Sequence, residues 1–153
     1  MRFLPFRDNY LYLRRGMEAL TDPKIASTTV LDWLNKRVIL ADVESLHAHA
    51  IVADGRAIGI WDYDPDAKKI EWATFAPAKG ALAKEIARAA DETESFIRDE
   101  LGDLLFYAVD NERNRAGRLE GVKSFAQNLQ VGASGEDSTG ALKDSAKGVD
   151  PTM

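Results

Sequence analysis

The chain has 153 residues, 45% hydrophobic and 29% charged, with 25 acidic against 20 basic side chains and a net charge of −5. That length predicts one domain, able to bury roughly two thirds of its unfolded surface without a disulfide or a metal. The absence of cysteine excludes thiol nucleophiles, disulfide frameworks and Cys-based zinc sites, and it fits a reducing cytoplasm. No apolar run approaches the ~20 residues of a membrane span, so a cytoplasmic location without a membrane partner is expected. Net acidity excludes a surface coated in nucleic-acid-binding charge but leaves room for a local basic patch.

In chain order, Phe3 to Arg15 opens with a proline-led turn at Pro5 and runs apolar and aromatic up to Arg14 and Arg15. So abrupt a core-like start reads as the continuation of something longer, or as a strand that completes a sheet supplied by another chain. Ser27 or Thr28 can cap a helix through Val30, Leu31, Trp33, Leu34 and Val38, while Arg37-Val38-Ile39-Leu40-Ala41 reads equally well as a strand. The clearest signal follows: His47 to Ala53 and Arg56 to Tyr63 flank Asp54-Gly55, the dipeptide of a type I′ hairpin turn. A two-residue turn pairs Ala53 with Arg56, Ile51 with Ile58, His49 with Ile60 and His47 with Asp62. Small residues around Gly59 and opposite Trp61 imply a close approach to that face. A turn at Asp64-Pro65-Asp66 leads to a third strand from Lys69 to Phe75, completing an antiparallel meander.

After Pro77 the period changes, and Leu82, Ile86, Ala89 or Ala90, Ile97, Leu101, Leu104, Leu105 and Ala108 recur at helical spacing. One long amphipathic helix is expected, with Gly102 as its point of interruption and Asp91, Glu92, Glu94, Asp99, Glu100 and Asp103 facing solvent. From Gly132 onward the chain has no aromatic residue and few apolar ones, so 132–153 is expected to be a disordered tail. The expected fold class is α+β: a single domain over 1–131, built of a small antiparallel β-meander packed against one long helix, with an N-terminal strand or helix segment.

Several residues carry candidate chemistry. His47 and His49 lie two apart on one strand and could present two imidazoles to a metal, with Asp62 across the hairpin as a third ligand, or work as an acid/base pair. The favoured arrangement is a surface pair of His47 with Asp62 and a packed His49, so no metal, cofactor or catalytic residue is assigned. Arg14 and Arg15 end a run containing Tyr10 and Tyr12, and arginine beside aromatics suits phosphate contact with base stacking. Together with Arg37 they form the candidate DNA-binding edge. Arg113, Arg115, Arg118 and Lys123 read as an exposed basic helix end, and Trp33, Trp61 and Trp72 as core.

Leu4-Pro5-x-x-Asp8-Asn9-Tyr10-Leu11, followed by His49-x-Ile51-Val52-x-Asp54-Gly55-Arg56-x-Ile58-Gly59-x-Trp61, resembles the C-terminal part of winged-helix DNA-binding proteins of the AlkZ-like group. That group includes bacterial DNA-repair glycosylases that excise alkylated or crosslinked bases. The resemblance spans residues 3 to 110 and marks Asp8, Asn9, Asp54, Gly55, Gly59 and Trp61. The family's catalytic Gln-x-Gln or Gln-x-Asp motif belongs to modules that would precede Met1, and Gln127-Asn128-Leu129-Gln130 lacks its spacing. The resemblance therefore implies a non-catalytic C-terminal module with DNA as partner. Two other readings stand beside it: a small interaction domain that docks a protein or a second copy through its sheet edge or apolar N-terminal segment, and a metal- or small-molecule-binding protein using His47, His49 and Asp62.

Overall fold

A computed structural model of the chain describes residues 1–14, 16–31, 36–102 and 112–136. Its centre is the expected hairpin, β4 (His49–Ala53) and β5 (Arg56–Asp64). Asp54 and Gly55 take φ of 49° and 79°, the positive angles a type I′ turn needs. Ala53 faces Arg56 and Val52 faces Ala57, but Ile51 then faces Gly59, with Ile58 bulged out of register. Every later pair is shifted by one, so His49 lies opposite Trp61 and not opposite Ile60. The bulge accompanies the approach of β6 (Lys69–Thr74), whose backbone runs so close that a Cβ on Gly59 would sit 2.3 Å from the Ala73 carbonyl oxygen. The close approach implied by Gly59 is thus made by a neighbouring strand within the sheet.

The N-terminal segment completes this chain's own sheet. β1 (Arg2–Leu4) pairs antiparallel with β4, giving the strand order β1-β4-β5-β6. The one-turn helix α1 (Asn9–Tyr12) follows, then 3-10 turns at Met17–Leu20 and Pro23–Ile25. Between Ser27 and Ala41 the strand alternative holds, with β2 (Thr29–Leu31) and β3 (Arg37–Ile39) forming a separate two-stranded antiparallel sheet. Trp33 and Leu34, expected in a helix there, lie outside the described residues.

Successive residues of a strand point to opposite faces, so Ala50 and Ile51 enter different cores. On one face, α2 (Gly80–Phe96) packs Ile86 and Ala90 against Ile51, Trp61 and Ile70. The helix passes into a π-turn at Ile97–Leu101 and stops at Gly102, whose φ of 66° suits glycine. Leu104, Leu105 and Ala108 lie outside the described residues. Glu94 of α2 accepts the backbone N–H of Ile70 at 3.1 Å, on the open side of β6. The other face buries Leu11, Met17, Leu20, Leu40, Leu46, Val52 and Phe75. α3 (Glu112–Glu136) packs here, its Phe125 ring 6.0 Å from Phe75 and nearly perpendicular to it. α3 continues past Gly132, where the tail was expected to begin, and 137–153 lie outside the described residues. Among the described residues, no helix is long and apolar enough to cross a membrane.

α3 corrects the expectation of an exposed basic helix end for Arg118 and Lys123, while Arg113 is exposed as expected. Asp62 and Asp64 alternate along β5 and point towards α3, where Arg118 Nε donates to Asp62 Oδ2 at 2.9 Å and Lys123 Nζ to Asp64 Oδ2 at 3.1 Å. Lys123 also lies 3.9 Å from Glu71. The Asp64 carboxyl is held below its ordinary value of 3.8, chiefly by the N–H of Ala67 and next by Lys123, with burial opposing. A carboxyl depressed on folding contributes stability above its unfolded pKa and loses it as pH falls through the folded value. The stability advantage of the native chain over Asp64→Asn is therefore expected to hold at neutral pH and to shrink only below about pH 4. Thermal melts of both proteins across that range check it.

Candidate functional site

The two separated sequence motifs meet in space. The indole N–H of Trp61 donates to the Leu4 carbonyl at 3.1 Å, the Phe6 N–H donates to His49 Nδ1 at 2.8 Å, and the Tyr10 hydroxyl donates to the Gly55 carbonyl at 2.9 Å. Each marked residue has a local structural reason. Asp8 caps α1 by accepting the Tyr10 N–H at 2.8 Å, and Asn9 is the exposed first residue of that helix. Asp54 and Gly55 make the turn, Gly59 admits β6, and Trp61 anchors β1. Together they bind the N-terminal segment to the hairpin as one ledge, tied at three points along its length.

His49, and not His47, lies beside Asp62. His49 Nε2 is 3.7 Å from Asp62 Oδ1, and its ring packs against Trp61 at 4.6 Å. The favoured surface pair of His47 with Asp62 is not formed. The bulge at Ile58 moves the register by one residue, Asp62 is buried against Arg118, and His47 instead packs beside the Phe6 ring. With Nδ1 accepting from Phe6, Nε2 carries the imidazole proton and faces a carboxylate that also accepts from the Tyr63 N–H and Arg118. His49 thus works as a tie between the ledge and the buried carboxylate. Among the described residues, no group of three His, Cys, Asp or Glu side chains is placed to hold a metal.

The ledge carries the basic side chains. The Arg14 guanidinium lies 4.8 Å above the Tyr10 ring, and the Arg7 guanidinium lies 5.3 Å above the Phe6 ring. Both arginines are exposed, and among the described residues neither has a carboxylate partner. Arg14 also lines an open cleft of about 560 Å³ with Tyr12, Glu18, Asp42 and Glu44, and Arg7 does not. Arg15 lies outside the described residues. Arg37 is exposed on β3, outside that cleft, and among the described residues no hydrogen bond or ion pair joins it to the ledge. Of the three arginines of the expected edge, Arg14 thus lies on the ledge and Arg37 on β3. Sequence reasoning missed Arg7, whose one signal was its place in the turn between Pro5 and the capping Asp8.

Compared with protein-family models, curated proteins and solved structures, the chain matches none of them.

Proposed function

We propose that this chain is a non-catalytic module of the winged-helix, glycosylase-like kind, and that it contributes DNA contact through the N-terminal ledge. The observation that carries this reading is the segregation of charge. Residues 1–16 hold four arginines against one aspartate in a chain of net charge −5, and two of those guanidiniums lie over aromatic rings at the surface. A stacked guanidinium keeps its N–H edges free for a phosphate and has already lost part of its rotamer freedom. The one acid of the segment, Asp8, has an oxygen engaged by the Tyr10 N–H.

Fluorescence anisotropy of the full chain with a labelled duplex, titrated at low and moderate salt, tests this. Binding is expected to weaken as salt rises, and Arg14→Ala to lower affinity about fivefold and the salt slope by about one unit. Absence of binding at low salt removes the reading. A second reading is favoured by one specific feature. Tyr12 and Leu13 are 59% and 75% exposed beside a cleft lined by Glu18, Asp42 and Glu44, which suits a protein partner better than a phosphate backbone. It draws no support from the apolar N-terminal strand, which β4 of the same chain already pairs.

A further inference from the structure

We propose that Arg7 is the principal phosphate-contacting residue of the ledge, an assignment that rests on the DNA-contact reading above. Its backbone is the first observation. Arg7 has φ of +63°, in the left-handed region that a long side chain rarely occupies and where glycine is the ordinary choice. Among the described residues only Asp54 and Lys68 share this among non-glycines. Asp54 sits in the type I′ turn where aspartate is at home, and Lys68 follows a turn that Asp64 stabilises by accepting the N–H groups of Asp66 and Ala67.

Arg7 instead occupies the third position of the Pro5-to-Asp8 turn, closed by the Asp8 N–H to the Pro5 carbonyl at 3.1 Å. The turn is fixed from outside as well. Phe6 gives its N–H to His49, and Asp8 spends a carboxylate oxygen on the Tyr10 N–H. A strained conformation so fully determined by its neighbours presents one side chain in one direction, and that side chain is a cation. Its guanidinium rests on Phe6, exposed, with no carboxylate partner among the described residues. Strain held in this way is a mark of a residue kept for its side chain. Arg14 shares the stacked geometry, but the cleft it lines also holds Glu18, Asp42 and Glu44, whose charges repel a phosphate. Arg7 has the stacked geometry and does not line that acidic cleft.

The test compares the full chain with Arg7→Gly, Arg7→Lys and Arg14→Ala, using anisotropy with the same labelled duplex and thermal melts. Glycine suits the positive φ, so Arg7→Gly is expected to keep or raise the melting temperature while weakening duplex binding about tenfold, more than Arg14→Ala does, with the salt slope lower by about one unit. Arg7→Lys is expected to retain the slope and recover part of the affinity, since it keeps the charge and loses the planar stack. If the native chain binds duplex and Arg7→Gly binds equally well, the assignment falls and the DNA reading survives. If the native chain does not bind, both fall. A melting temperature that drops together with the affinity would make Arg7 a structural part of the turn and would also overturn the assignment.

Discussion

Gly59→Ala is expected to cost about 3 kcal/mol of stability, at the upper end of what overpacking usually exacts. The added Cβ would lie 2.3 Å from the Ala73 carbonyl oxygen and 2.9 Å from the Thr74 Cα. Both obstacles are backbone atoms of the paired strand β6, so no side-chain rotation relieves them, and relief requires β5 and β6 to separate. Such a loss is a large share of the 5–15 kcal/mol that holds a typical domain together. Gly121→Ala on α3 is the matched control. Its Cβ would find only the Leu31 Cδ1 at 3.8 Å, and alanine is the better helix former by up to about 1 kcal/mol. Urea unfolding of the two variants against the native chain is expected to move the midpoint in opposite directions. A Gly59→Ala midpoint equal to the native one would show that β6 does not approach this closely.

The second large effect is expected at the joint between α3 and the sheet. Asp62 is 3% exposed, and its carboxylate accepts from Arg118 and from the Tyr63 N–H, with His49 alongside. Arg118→Met keeps the aliphatic stem but leaves a buried carboxylate without its guanidinium, the circumstance in which breaking an ion pair costs 3–5 kcal/mol. Because the Arg118 side chain is 22% exposed, a value near 3 kcal/mol is expected. Asp62→Asn in the Arg118→Met background removes the stranded charge and is expected to recover part of that loss. Chemical denaturation of the two single variants and the double variant gives the coupling directly. Additive losses would mean that the two groups do not act as a pair.

Local features of this chain were legible in its sequence, and features made by contact between distant segments were not. Asp54-Gly55 announced its turn because few dipeptides tolerate two positive φ angles, and the spacing of Leu82, Ile86 and Ala89 announced α2 by period alone. The α+β class followed from those two signals. The bulge at Ile58 left no such trace, since a bulge answers to how the next strand docks and not to the residue that forms it. That one unseen residue moved His49 from Ile60 to Trp61 and exchanged the roles of the two histidines. The partnership of Arg118 and Lys123 with Asp62 and Asp64 was hidden by more than fifty positions of intervening chain, so a run of basic residues looked like a solvated surface. Of the candidate site, the paired motifs were visible, but that they meet each other was not. Arg7 escaped notice because its distinction is a backbone angle.

The carboxylate of Glu94 on the Ile70 N–H bears on how copies of this protein meet one another. β6 is the outer strand of the sheet, and an outer strand offers unsatisfied N–H and C=O groups that invite another strand to add on. Here a helical side chain already occupies one of those donors, and a strand arriving from a neighbouring molecule would have to displace a charged oxygen to pair there. Once α2 has docked, such a contact works against strand addition at this point of β6, so the acid that looked like ordinary helix surface also guards part of a sheet edge.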